Sequence, residues 1–270
     1  MTERGPGLSG VNAIYVFAVC REPDLSAVAG LPGVTHETSV SSLSLGVLTA
    51  IVQTVRASDF TDEVWQARLS DQRELERYAR AHHDVVAAVA ARCPTVPLPM
   101  ATVYHGEERA REALVKEADR FDAALRRIAH HAEWGVKVFV PSCPRDDTAP
   151  TPIRHVTSTE RSRPAPGAGL AYLNRKRGAQ ERRERIQDEA LRTAEAVDAE
   201  VRGLATAARR LRPHAQPSGE NRVHVLNATY LVAAERAEEL ALLTRTLRER
   251  TGMDIELSGP WVPYSFVGEV

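Results

Sequence analysis

Ala13-Ile14-Tyr15-Val16-Phe17-Ala18-Val19-Cys20 is an apolar run rich in β-branched and aromatic residues, and Arg21-Glu22-Pro23-Asp24 closes it. Trp134-Gly135-Val136-Lys137-Val138-Phe139-Val140 has the same character in the second half. Such residues suit a buried, pleated strand. A strand opening each half, followed by helical periodicity, makes the chain α+β. The first run also resembles the apolar core of a signal peptide, with Ala27-Val28-Ala29 as the cleavage site. Arg21, Glu22 and Asp24 fall between the two, and the strand reading prevails.

Outward from the first strand, short β-branched runs at 34–40 and 43–55 are separated by Ser41-Ser42. They predict two antiparallel neighbours joined at the serines, although the second run also admits a helix. Between 71 and 92, Leu75, Tyr78, Ala79, His82, Val86 and Val89 recur at steps of three and four, the spacing of one buried helix face. Cys93-Pro94 ends that helix. Residues 95–104 read as a strand that Pro97 and Pro99 confine to an edge or interrupt. A second helix is predicted over 107–131, with Leu114, Ala118, Phe121, Leu125 and Ile128 along one stripe. In 134–140 the pleat puts Trp134, Val136, Val138 and Val140 on one side, Lys137 and Phe139 on the other.

The stretch 141–169 holds six of the 16 prolines, mixed with Ser, Thr and Asp. It offers too little apolar surface to offset the entropy of ordering, which predicts a mobile loop. A long helix is expected over 170–211, where Ile186, Ala190, Ala194, Val197, Val201, Leu204, Ala208 and Leu211 form an alanine-rich stripe. After a turn-rich break, 223–233 reads as a strand. Residues 235–250 read as a helix bearing Leu240, Leu243 and Leu247, stopped by Thr251-Gly252. A last strand follows at 254–257. The expected division is an N-terminal α+β domain, 1–105, and a C-terminal α+β domain, 106–270, ending in an aromatic tail, 259–270.

The 270 residues carry 35 Lys and Arg against 36 Asp and Glu, a formal charge of -1, so no global field draws the chain to nucleic acid or an acidic membrane. No apolar run reaches the length of a membrane-spanning helix. The three cysteines, Cys20, Cys93 and Cys143, form no CxxC pair and are odd in number, which argues for reduced thiols in a cytoplasm.

Few motifs carry chemistry. His82-His83 and His130-His131 are possible metal ligands or bases, but adjacent helical residues point apart and no acidic residue or Cys completes a ligand motif. His82 is expected to be a buried-face histidine and the others to be surface residues. None of the cysteines has the surroundings of a nucleophile. Gly167-Ala168-Gly169 lacks a third glycine and a following Gly-Lys-Ser/Thr, so it makes no phosphate loop. Arg175, Lys176, Arg177, Arg182, Arg183 and Arg185 are interleaved with Glu181, Glu184, Asp188 and Glu189, which predicts a solvated, internally paired face.

The tail Gly259-Pro260-Trp261-Val262-Pro263-Tyr264-Ser265-Phe266 resembles the C-terminal GPWPPYSF motif of the gas vesicle protein F/L family (GvpF/GvpL). Ile14-Tyr15-Val16-Phe17, Val96-Pro97-Leu98-Pro99-Met100 after a helix with His83, Trp134-Gly135-Val136-Lys137-Val138, and Ala171-Tyr172-Leu173-Asn174-Arg175-Lys176 resemble further landmarks, in order. Met100-Ala101-Thr102-Val103-Tyr104 lacks the Arg, Phe and Gly that many members carry there, so the resemblance is to the family and not to its F or L branch. It implies two α+β domains, the first ferredoxin-like, with the tail packed back on the body. It also implies a non-enzymatic accessory protein of gas vesicle formation, without cofactor, that contacts the hydrophobic shell protein GvpA and other Gvp proteins in the cytoplasm or on the vesicle.

A subunit that polymerises through an apolar face needs protection before use, and exposed apolar surface on a helper supplies it. The candidate surfaces are the stripe of Ala190, Ala194, Val197 and Val201 and the tail rings Trp261, Tyr264 and Phe266. The competing readings are an enzyme on a ferredoxin-like fold and a basic-helix nucleic-acid binder.

Overall fold

The structure, a computed structural model, describes residues 12–141, 168–212 and 222–268. Its elements up to residue 128 are β1 (Asn12–Cys20), β2 (Val40–Leu45), β3 (Leu48–Arg56), α1 (Asp62–Ser70), α2 (Gln72–Ala90), β4 (Thr95–Pro97), β5 (Val103–Tyr104), α3 (Glu107–Lys116) and α4 (Ala118–Ile128). There follow β6 (His131–Pro141), α5 (Ala168–Arg202), β7 (Ala207–Arg210), β8 (Arg222–Ala233), α6 (Ala237–Thr251) and β9 (Asp254–Trp261). The fold is α+β. The loop expected to be mobile, 141–169, falls almost entirely outside the described residues, as does Cys143.

Two compact units divide the chain. The first comprises the described residues up to Trp134, Leu231–Ala237 and those from Gly259 onward; the second is Gly135–Tyr230 with Glu238–Ser258. This line differs from a border at 105/106. Ala110 and Leu114 of α3 and Phe121, Ala124, Leu125 and Ile128 of α4 are buried in one core with Ile14, Val16 and Val19, so both helices belong with the first sheet.

That sheet runs β2-β3-β1-β4, with β5 also on β1. β1 is apolar at nearly every position because both its faces are covered. Ile14, Val16 and Val19 enter the core of α3 and α4, whereas Ala13, Tyr15, Phe17 and Cys20 pack with Tyr78, Val85, Val86 and Val89 of α2. A bulge between Val16 and Ala18 resets the alternation and leaves Phe17 and Ala18 on the same side.

The β2–β3 connection corrects the sequence expectation. Ser41 and Ser42 lie within β2, and the turn is Gly46-Val47 between the paired Leu45 and Leu48. Gly46 has φ 82° and Val47 no positive φ, the pattern of a type II′ hairpin turn with glycine first. The prolines interrupt the next strand as expected: β4 and β5 both pair with β1, separated by a segment in which Ala101 takes φ 65°.

Gln53 is fully buried and fastens the β1–β2 connection. Its Oε1 accepts from Val34 N–H at 2.9 Å, and its Nε2 donates to the carbonyls of Pro32, Thr35 and Thr38. α1 escaped the sequence reading because it buries none of its residues and so shows no apolar face. The predicted helix over 107–131 is two helices, broken at Glu117 by nothing in the local sequence.

α2 starts as expected: the Asp71 carboxylate caps the N–H groups of Arg73 and Glu74. It sets His82 against β1, buried, where the Tyr15 hydroxyl bonds His82 Nδ1 at 2.9 Å and accepts from Ala101 N–H. Burial holds the imidazole down to about 4, below its ordinary 6.5. The unfolded chain therefore takes up the proton first, so stability is full above pH 6.5 and falls as pH drops toward 4, by about 3 kcal/mol in all. In urea titrations across that window, His82→Gln is expected to flatten the loss; superimposable pH profiles of the two proteins would refute the assignment.

The second sheet runs β7-β8-β6-β9. With α5 and α6 between its strands, the sequence β6-α5-β7-β8-α6-β9 is a complete split βαβ, or ferredoxin-like, unit. The first sheet has the same strand order, but only the short 3-10 turn Leu25–Val28 and the loop held by Gln53 stand where a first crossover helix belongs. The ferredoxin-like outline expected of the first half is thus completed in the second.

The long helix is shorter than predicted. α5 ends at Arg202, and Gly203 and Leu204 form the turn that leads to β7. Leu204, Ala208 and Leu211 therefore do not extend its stripe. Asp198, on the buried side of α5, is 2% exposed. Its Oδ2 accepts from Arg202 Nε at 2.9 Å and Arg210 Nη2 at 2.7 Å, and its Oδ1 from the Tyr230 hydroxyl at 2.5 Å. One carboxylate thus ties α5 to β7 and β8. Burial raises its pKa, but these three donors outweigh burial and hold the carboxyl below the ordinary carboxylate range.

Candidate partner-binding site

The site is built on the first unit, from the segment after Ser258. Gly259 adopts φ 132°, and its Cα leaves no room for a side chain: a Cβ there would lie 2.9 Å from both the Glu133 carbonyl oxygen and Trp134 Cε3. The Gly259-Pro260 peptide is cis. After Trp261 the chain turns through Val262 and Pro263 into a 3-10 turn, Tyr264–Phe266, closed by Tyr264 N–H to the Val262 carbonyl and Phe266 N–H to the Pro263 carbonyl.

Glu133 anchors this turn. It is 6% exposed, and its two carboxylate oxygens accept from Ser265 N–H at 2.9 Å and the Ser265 hydroxyl at 2.6 Å. A buried carboxylate is costly unless its oxygens are satisfied, and here a serine 132 positions further along the chain satisfies both. Sequence reading missed Glu133, since a single acidic residue at the start of an apolar strand looks like a solvent-facing one.

The anchored turn sorts the three tail rings. Phe266 is 4% exposed and belongs to the interior, while Trp261 is 52% and Tyr264 38% exposed. Between them stands His83 of α2, its ring centroid 6.5 Å from that of Trp261 and 6.1 Å from that of Tyr264. Burial of its hydroxyl pushes Tyr264 up to about 12, so the ring is neutral near pH 7. Trp261 lines a groove of about 610 Å³ with His83, Cys93, His130, His131 and Pro263. Tyr264 borders a second hollow of about 530 Å³ with Leu98, Phe121 and Val267.

The other predicted contact residues lie elsewhere. Ala190, Ala194, Val197 and Val201 are all buried, from 0 to 6% exposed, so the stripe is interior rather than a docking face. A three-four spacing marks a face that something covers, and in this fold the protein itself covers it. Phe266 is corrected in the same sense. Of the histidines, His82 is buried as expected and His131 Nδ1 lies 2.7 Å from the Ala129 carbonyl, but His83 is more than a surface residue. Among the described residues no group of three His, Cys, Asp or Glu is placed to hold a metal ion. Lys176, Arg177, Arg182, Arg183 and Arg185 are exposed on α5, as are Glu181, Glu184, Asp188 and Glu189 among them. No helix among the described residues is long and apolar enough to cross a membrane.

Exposed rings on a frame fixed by a buried carboxylate are the material of an interaction surface. Residues 13–268 match the family model of the gas vesicle synthesis proteins GvpL/GvpF. Gas vesicle protein L of Streptomyces sp. (strain CB03234) is 34% identical over 255 residues, 94% of this chain and 92% of that protein. Gas vesicle protein L1 of Halobacterium salinarum is 25% identical over 209 residues, 74% of this chain and 73% of that one. The crystal structures of GvpF from Anabaena sp. PCC7120 and Microcystis aeruginosa share the fold, with TM-scores of 0.62 and 0.59 at 15% and 14% identity. Each comparison covers 96% of this chain, and 97% and 99% of the GvpF chains respectively. The chain belongs to the GvpL/GvpF family of gas vesicle proteins, and its role is in gas vesicle assembly.

Proposed function

We propose that this protein is a non-enzymatic assembly factor that binds the hydrophobic shell protein GvpA, and with it other accessory Gvp proteins, through Trp261 and Tyr264. It works without a cofactor, in the cytoplasm and on the growing vesicle. The observation that carries the reading is the contrast within one short turn: Phe266 is interior, whereas Trp261 and Tyr264 stand out beside apolar hollows. Rings of this size held rigid lose little conformational entropy on binding, which makes them effective anchors for an apolar segment. A shell subunit held on them is kept from pairing at random before it joins the wall.

The test is co-expression with GvpA followed by pull-down. Each ring at the centre of an interface contributes about 2 kcal/mol, so Trp261→Ala with Tyr264→Ala is expected to cut retained GvpA at least roughly 30-fold. Both substitutions are at exposed rings, and the variant should melt within a few degrees of the parent. Undiminished retention by the folded variant, or no retention by the parent, overturns the reading.

A further inference from the structure

We propose that Cys20 and Cys93 form a dithiol that reacts with hydroperoxides and closes to a disulfide in the wall of the Trp261 groove. Cys20, the last residue of β1, is fully buried; Cys93, in the turn from α2 to β4, is half-buried and lines the groove. The register of β1 and β4 sets Cys20 opposite Thr95. Cys93 lies two residues before Thr95 in the turn, and both cysteines belong to the apolar cluster on the α2 side of the sheet. Thr95 fastens the turn, its hydroxyl donating to the Cys93 carbonyl at 2.9 Å and lying 3.8 Å from Cys93 Sγ.

The two thiols differ in the way a peroxide-reactive pair must. The Cys20 thiol holds Cys93 down to about 6 against the opposing effect of burial, with help from the Thr95 hydroxyl, and the same interaction raises Cys20. The groove-side sulfur is thus the one that ionises more readily, to the thiolate, and the buried one holds its proton more tightly. The thiolate attacks the outer peroxide oxygen, the O–O bond breaks, and Cys93 becomes a sulfenic acid while the alkoxide or hydroxide takes a proton from water. Cys20 sulfur then attacks Cys93 sulfur, the S–O bond breaks, and the Cys20 proton leaves with the hydroxide as water. In sum two thiols and one hydroperoxide give one disulfide, one alcohol or water, and a further water. A disulfide holds its two Cα atoms within about 7 Å, so closure fixes the turn around Cys93 to β1 and takes its sulfur out of the groove wall. The proposal stands apart from the docking reading, since neither thiol needs GvpA to react.

The test is exposure of the full chain to hydrogen peroxide at about pH 7, followed by alkylation and non-reducing peptide mapping. The expected result is a Cys20–Cys93 linked peptide, lighter by two hydrogens, holding more than about half of Cys93 and lost on reduction. Cys20→Ser is expected to leave Cys93 as a dimedone-reactive sulfenic acid, and Cys143→Ser to change nothing. A wild-type Cys93 that goes on to sulfinic acid unlinked, links to Cys143, or stays reduced while Cys143 oxidises overturns the proposal. The wild-type map decides even if Cys20→Ser fails to fold.

Discussion

Asp198→Ala is expected to destabilise the protein by about 3 kcal/mol, because it leaves the buried Tyr230 hydroxyl without its acceptor and unties three elements at once. Arg202 and Arg210 are about half exposed and can turn to water, so most of the loss belongs to Tyr230. A double-mutant cycle with Tyr230→Phe separates the shares. The two losses should fall short of additive by 1 kcal/mol or more, roughly the worth of one buried charge-assisted hydrogen bond. Full additivity in urea titrations would show that the pair is not coupled. The carboxyl binds protons more weakly folded than unfolded. Its contribution is therefore full above about pH 4 and lost as pH falls further, and Asp198→Ala should flatten acid unfolding in that range.

The second large effect is at Gly259. Alanine there meets both an unfavourable φ of 132° and the Glu133 carbonyl at 2.9 Å, which cannot give way as a flexible side chain would. The expected cost is about 3 kcal/mol. Gly252, with φ 67° and open space around it, supplies the comparison: Gly252→Ala carries the backbone penalty alone, about 1 kcal/mol. Equal midpoint shifts for the two variants in thermal unfolding would show that the close approach to Glu133 does not matter.

Much of this fold was legible in local spacing. The β1 run, the α2 stripe with His82 inside it and the strand across 134–140 follow from residue alternation, since burial writes a period into the sequence. What escaped lies beyond local order. Serines favour turns, so Ser41-Ser42 reads as the hairpin connection, whereas pairing of Leu45 with Leu48 makes Gly46-Val47 the turn. The alanine-rich spacing carries the expected helix on to 211 because alanine suits either period, whereas residues 207–210 are a strand beside β8. At the site, aromatic density drew attention to the tail, but nothing near residue 261 says which rings Glu133 turns inward. The same limit hides Cys93 from Cys20: strand register pairs Cys20 with Thr95, whose hydroxyl lies beside the Cys93 sulfur, and register is a property of the fold.

The Glu133 to Ser265 bond also sets an order of events during synthesis. The first unit begins at the ribosome before the second, yet it needs Gly259 and the turn after it to be complete. While residues 135–258 are being translated, the nascent first unit carries the Glu133 carboxylate without its serine and an uncovered strip beside Trp134. The unit that emerges first is the last to finish, so its folding waits on elongation as well as on its own long-range pairing.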